Sequence, residues 1–273
     1  MSPLHVPAHR ATRKPAAVHS TSLLNSLSEV RALAEIGSYF GIRPLLQRVV
    51  ARGDGHPVMV LPGFMASDAM TQGLRDFLQR LGYEVHAWEL GRNPGLRLDL
   101  CEKLEARIEA IRGASHRRVS LVGWSLGGMY ARVIAHRRSE EVRQVITLGT
   151  PFRLTAEDGG TGAIARMYLK LNPEASTDAL TAGGLARLPT PVPSTSIYST
   201  GDGIVPWAGC VEQCDARHEN IRVHGSHCGM TYNPLILAIV ADRLGQREHT
   251  WRPFSRSGLN ALLPRPVRGP AAA

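Results

Sequence analysis

From residue 57 onward, short apolar runs alternate with longer stretches whose apolar positions recur three and four residues apart. The runs 58–61, 83–90, 118–123, 142–148, 195–199 and 220–224 are too short for ordinary helices, and most are rich in Val, Ile and Leu. That is the mark of strands covered on both faces. Between them, 68–81, 96–112, 126–138 and 234–244 carry the helical period, and Gly82 stops the first of these. Strand and helix in alternation predict an α/β domain: a mainly parallel sheet, right-handed crossovers and helices on both faces.

Three stretches depart from this rhythm. Residues 21–51 place Leu23, Leu24, Leu27, Val30, Leu33, Ala34, Ile36, Phe40, Leu45, Leu46 and Val49 at near-helical spacing, with Gly41 and Pro44 as a break. They read as two helices of an N-terminal extension packed on the domain, or alternatively as a weak membrane-surface contact or a lid. Residues 152–193 lack strand character, hold Gly159, Gly160, Gly162, Gly183 and Gly184, and are too long for a routine connection. A cap over the site is the expectation, with Ile164, Met167, Tyr168 and Leu171 on one helical face. Finally, 1–20 and 246–273 have the composition of poorly ordered tails, which leaves 21–245 as the domain.

Composition narrows the function classes. The 273 residues are 43% hydrophobic and carry a formal charge of +9. Much of that charge lies at the ends: Arg10, Arg13 and Lys14 face no acid in the first tail, and five arginines face only Glu248 in the last. The middle is nearly neutral, and no nucleic-acid-binding motif accompanies the tails, so nucleic acid is not an expected partner. No run approaches the length of a membrane span and no cleavable leader pattern opens the chain, so the expected location is cytoplasmic. Cys210, Cys214 and Cys228, with His218, are too loosely spaced for a zinc site. A loop disulfide or free thiols are the simpler readings. No phosphate cradle or dinucleotide fingerprint follows a strand, so no cofactor is implied.

The chemistry begins at Gly123-Trp124-Ser125-Leu126-Gly127, a G-x-S-x-G pattern between an expected strand and an expected helix. A serine hydroxyl is a weak nucleophile and must be lifted clear of the sheet for a base to reach it. A sharp strand-to-helix turn does this, and glycines on either side remove the side chains that would collide. Asp202 and His227 follow in the order nucleophile, acid, histidine, each just past an expected strand. His227 would accept the Ser125 proton, with Asp202 fixing its tautomer. Asp202 has a plainer reading as a turn residue in Gly-Asp-Gly, and His224 is the rival to His227. Backbone N–H groups of Leu126 and Phe64 are the candidate oxyanion donors. Phe64, Met65 and Trp124 are the candidates for substrate contact.

With Leu61-Pro62-Gly63-Phe64, the serine motif, Leu148-Gly149-Thr150-Pro151-Phe152, the stretch from Ser199 to Pro206 and Gly225-Ser226-His227, the sequence resembles the α/β-hydrolase superfamily. It is similar to bacterial lipases and esterases over about 57–245. The resemblance implies the fold and the triad. Lipases of this type often carry His before the oxyanion glycine, where this chain has Pro62.

Hydrolysis of a carboxylic ester through an acyl-enzyme is therefore the leading expectation, with a small ester or acyl compound as substrate. An acyltransferase or thioesterase would use the same residues, and a silent binding protein of the same fold is the third reading. The substrate's identity and the oligomeric state are open at this point.

Overall fold

A computed structural model describes residues 23–154, 170, 184–255 and 264–266. The short helix α1 (Leu23–Leu27) and a 3-10 turn (Ser28–Arg31) lead into α2 (Ala32–Val49). There follow β1 (Pro57–Leu61), α3 (Gln72–Leu81), β2 (Glu84–His86), α4 (Leu98–Ser115), β3 (Val119–Trp124), α5 (Leu126–Arg137) and β4 (Val142–Leu148). After the cap interval come β5 (Ser194–Ser199), β6 (His218–Val223) and α6 (Pro234–Leu244). The strands form one sheet in the order β2-β1-β3-β4-β5-β6, and every adjacent pair is parallel.

Alternation along each strand divides the core in two. Val58, Val60, Val122, Trp124, Ile146 and Leu148 face one side, covered by apolar residues of α2, α3 and α6. Met59, Leu61, Val119, Leu121 and Val145 face the other, beneath α4 and α5. Both faces of the central strands are covered, which is why β1 and most of β3 read as apolar runs, whereas β4, β5 and β6 also bury polar residues such as Gln144, Ser196 and Asn220. The chain leaves β1 toward β2 on one side and places β3 on the other, so the order reverses between β1 and β3. In open α/β sheets a crevice at the carboxyl ends of such strands is the natural ligand site.

Four expectations change. The extension does hold two helices, but the break falls before Ala32 and not at Gly41 and Pro44, through which α2 runs unbroken. Pro44 and Phe40, whose carbonyl loses its helical donor to the proline, both lie on the exposed face, where water replaces that bond. The inner face of α2 buries Tyr39 and Leu46, while Leu33, Phe40, Leu45 and Val49 are exposed. The second strand is three residues, not eight. Asp68 takes the N–H groups of Trp88 and Glu89, both at 3.0 Å, and turns the chain out of the sheet.

The C-terminal boundary at 245 is also too early. Phe254 is buried in the core, its N–H donates to Glu219 Oε2 at 2.7 Å, and the Arg252 carbonyl accepts from Arg243 at 2.7 Å. Residues 246–255 are thus part of the domain. The fourth change concerns Trp124 and belongs to the site below. The N-terminal tail and the residues expected to form the cap helix, Ile164, Met167, Tyr168 and Leu171, lie outside the described residues.

Candidate active site

Ser125 sits between β3 and α5 with φ 54° and ψ −123°, a backbone conformation that non-glycine residues rarely adopt. Such strain persists only where surroundings over-determine it. Here the Ser125 N–H is held by the Leu148 carbonyl at 2.8 Å and its own carbonyl by the Gly128 N–H at 3.0 Å. Side chains would destroy the turn. A Cβ on Gly127 would stand 2.2 Å from the Leu61 carbonyl oxygen, and one on Gly123 would stand 2.4 Å from the Gly128 backbone.

The loop after β1 passes directly over the serine. A Cβ at Gly63 would lie 3.0 Å from Ser125 Cβ, so only the missing side chain permits this approach. Phe64 and Met65 follow, both half-buried. Asn93, wholly buried, fixes the loop from the other side: its carbonyl accepts the Met65 N–H at 2.7 Å, and its side chain donates to the Pro62 carbonyl at 2.8 Å. The Phe64 N–H is thereby carried to the nucleophile's edge of the sheet. The Leu126 N–H belongs to the first turn of α5, where a helix leaves its donors without intrahelical acceptors.

Asp202 and His227 meet at the same edge. Asp202 Oδ2 lies 2.6 Å from His227 Nδ1, and both side chains are almost fully buried. The other carboxylate oxygen accepts from the N–H groups of Ile204 at 2.8 Å and Val205 at 2.7 Å, which locks its orientation. Burial alone would depress the imidazole pKa, but the charge and hydrogen bond of Asp202, with the charge of Glu29, outweigh it and raise the pKa above 6.5. Gly149, at φ 56°, lets the backbone pass the ring: a Cβ there would stand 3.1 Å from His227 Nδ1. Among the described residues no hydrogen bond yet links Ser125 Oγ to His227, a looseness common before substrate is bound.

Trp124 corrects one expectation. As the last residue of β3 it shares the face of Ser120 and Val122, turned into the core beneath α2, α3 and α6, and it is 4% exposed. Its indole N–H donates to the His227 carbonyl at 3.1 Å and its ring lies 5.8 Å from the imidazole, so its observed contact is with the histidine, from the core side. His224, the rival to His227, is exposed. A further acid of this region, Asp215, pairs with His218 at 2.7 Å, at the opposite end of β6. All four cysteines are free, and the described residues contain no cluster of metal-ligating side chains.

The sequence reading missed Asn93 and Glu29. Glu29 Oε1 accepts the N–H groups of His227 at 2.9 Å and Gly203 at 2.8 Å, and Oε2 that of Cys228 at 3.1 Å. Neither residue belongs to a motif. The available signal for Glu29 was chemical: with Arg31 and Glu35 it forms a cluster of charged positions interleaved with the apolar ones of 21–51.

The fold matches structures already solved. A metagenome-derived lipolytic enzyme from work on LipS and LipT superposes with a TM-score of 0.54 at 17% identity, covering 72% of this chain and 96% of that one. The chain has the α/β-hydrolase fold. An α/β superfamily hydrolase of Oenococcus oeni gives a TM-score of 0.51 at 16% identity over 71% of this chain and 94% of that one. Aspergillus fumigatus lipase B gives 0.51 at 20% identity over 73% and 55%. In sequence, a pimeloyl-[acyl-carrier protein] methyl ester esterase of Aliivibrio fischeri is 26% identical over 127 residues, 46% of this chain. The match spans about half the length of that relative (49%). No family model matches the chain. No helix among the described residues is long and apolar enough to cross a membrane.

Proposed function

We propose that this α/β-hydrolase-fold chain is a serine hydrolase that cleaves a carboxylic ester through an acyl-enzyme. Ser125 is the nucleophile. His227 takes its proton and later returns it to the leaving alcohol, while Asp202 holds the tautomer with Nδ1 protonated and stabilises the imidazolium. The N–H groups of Phe64 and Leu126 receive the charge that develops on the carbonyl oxygen. Water then attacks the acyl-enzyme, with His227 again as base.

The observation that carries this reading is the buried 2.6 Å contact between Asp202 and His227, at the same sheet edge as a serine held at φ 54°. A buried carboxylate–imidazole pair costs desolvation and is retained where it does work or is compensated. The substrate class rests on the Aliivibrio fischeri relative, whose name describes an esterase acting on a methyl ester. Phe64 and Met65, beside the serine, are the candidates to line the acyl pocket. The test is a fluorophosphonate probe together with a series of p-nitrophenyl esters of increasing chain length. Labelling at Ser125 and turnover that vanishes in Ser125→Ala are expected; labelling elsewhere, or turnover that survives the substitution, overturns the proposal.

A further inference from the structure

The loops that carry Asp202 and His227 are joined directly through Ser199 Oγ, which donates to the Gly225 carbonyl at 2.7 Å. Both are also bridged by the N-terminal segment, a part of the chain far from both in sequence. Asn25 Nδ2 donates to the Thr200 carbonyl at 3.3 Å and Ser26 Oγ to the Gly203 carbonyl at 2.8 Å. The Arg31 guanidinium donates to the carbonyls of Gly201 and Gly225, the latter at 2.9 Å, so one side chain spans both loops. Glu35 takes the Ser226 N–H and hydroxyl, each at 2.8 Å. Glu29 makes the same bridge closer to the chemistry, with Gly203 on one side of Asp202 and the backbone of His227 itself on the other.

The glycines of these loops fit the segment rather than a turn. None of Gly201, Gly203, Gly225 and Gly229 has a positive φ, so none is required by backbone conformation. What they permit is contact. A Cβ on Gly203 would lie 2.3 Å from the Asn25 carbonyl oxygen, and one on Gly229 would lie 1.7 Å from Glu35 Oε2. Two loops lacking side chains where a third segment crosses them form a fitted joint.

We propose that Glu29 is a positioning residue for His227, and that segment 25–35 is a working part of the site rather than a covering for the domain. This rests on the reading of Ser125, Asp202 and His227 as a triad. Three backbone donors from both loops converge on one carboxylate, so Glu29 fixes the distance between acid and base and the approach of His227 to Ser125. Small misplacements of catalytic groups have large kinetic effects, about 100-fold for roughly 1 Å. Its charge also acts on the ring. The charged groups facing His227 are Asp202 and Glu29, with Arg31 and Glu35 attached to the backbone on either side.

The experiment uses the full chain and its Glu29→Gln, Glu29→Asp and Glu29→Ala variants, measuring kcat/KM on a p-nitrophenyl ester and fluorophosphonate labelling of Ser125 across pH. Glu29→Gln, nearly isosteric, should move the acid-side midpoint of both profiles to lower pH, because an anion beside the imidazole is gone. Glu29→Asp should keep the midpoint and lose rate, since the charge stays and the reach is shortened. Glu29→Ala should lose on the order of 100-fold in kcat with KM little changed. Glu248→Gln, a distant acid, is the control and should leave the midpoint in place. Folded Glu29→Gln and Glu29→Asp proteins with wild-type midpoint and rate overturn the inference while labelling at Ser125 keeps the triad reading intact. A wild-type protein not labelled at Ser125 overturns the triad reading and this inference with it.

Discussion

Two regions of the molecule bring a serine, a histidine and an aspartate together, and the proposed function assigns the chemistry to one of them. At the amino ends of the strands, Ser120 Oγ lies 2.8 Å from His56 Nε2, and His56 Nδ1 lies 2.5 Å from Asp54 Oδ1. At the carboxyl ends stand Ser125, His227 and Asp202. By hydrogen-bond geometry the first set is the more complete. Yet Ser120 is an ordinary residue of β3, wholly buried, its hydroxyl also 3.4 Å from Gln144 Nε2. No substrate reaches it. Its histidine is mistuned as well: burial first, then the charge of Arg143, pushes the His56 pKa down to about 4 against a weaker pull from Asp54. Asp54 itself is shared with Arg117 at 2.7 Å and Arg143 at 3.2 Å. By contrast His227 faces two carboxylates and its pKa is raised. Distance identifies a hydrogen-bonded chain; backbone strain and local charge are what favour the second set as the catalytic one in the proposed function.

The comparison breaks most directly at the two serines. Ser125→Ala should abolish labelling and reduce kcat by about six orders of magnitude, the scale of nucleophile loss in the serine-protease precedent. Ser120→Ala should leave kcat within about threefold while lowering stability by about 1–3 kcal/mol, because His56 Nε2 loses its buried partner. Steady-state kinetics and denaturant melts of the two variants check this, and the opposite ranking would make the buried chain the working one. The acids come next. Asp202→Asn should cost roughly 10⁴ in kcat by favouring the wrong imidazole tautomer, whereas Asp54→Asn should alter stability and leave kcat near wild type.

How far each region was legible in the sequence follows from how local its causes are. The serine turn announces itself because strand, glycine, serine and helix lie within a few residues, and α6 is apolar at most of its positions. Asp202 and His227 were singled out from chain order and from their places after β5 and β6, and the structure brings their side chains to 2.6 Å. Glu29 and Asn93 were not, since their partners are distant in sequence: Glu29 joins 203 and 227, and Asn93 joins 62 and 65. The break expected at Gly41 and Pro44 failed because an exposed helix face tolerates a lost hydrogen bond. Trp124 was misassigned because the motif drew attention to its neighbour, although strand alternation already pointed its ring toward the core. Phe254 was missed because a Pro- and Arg-rich composition says nothing of a single aromatic anchor.

A smaller effect separates the two histidines by pH. His56 has a folded pKa near 4, below the 6.5 of the unfolded chain, so its neutral form stabilises the protein above pH 6.5 and that stability is lost as pH falls toward 4. The shift corresponds to roughly 3 kcal/mol. His227, raised in the folded state, contributes with the opposite sign: its stabilisation is present below pH 6.5 and is lost as pH rises through the folded value. Unfolding free energies of wild type and His56→Gln between pH 4 and 7 should converge at the acid end and diverge toward neutrality. A constant difference across that range would place the histidine's charge elsewhere.

The smallest expected effect is also the one that reports on the working site alone. Because His227 must be neutral to take the Ser125 proton, kcat/KM should rise with pH through a single ionisation, and that ionisation should lie above 6.5. The direction follows from the balance at the ring. Burial lowers the pKa, but Asp202 at 2.6 Å and the Glu29 carboxylate both favour the imidazolium, and together they prevail. Asp202→Asn should therefore do two separable things: reduce the plateau and move the midpoint down, since the larger of the two anions is gone while burial remains. His56→Gln should move neither, because His56 lies at the opposite end of the sheet and does not face the serine. A pH profile of kcat/KM for the three proteins reads both quantities at once. A midpoint that followed His56 rather than Asp202 would transfer the base from one histidine to the other.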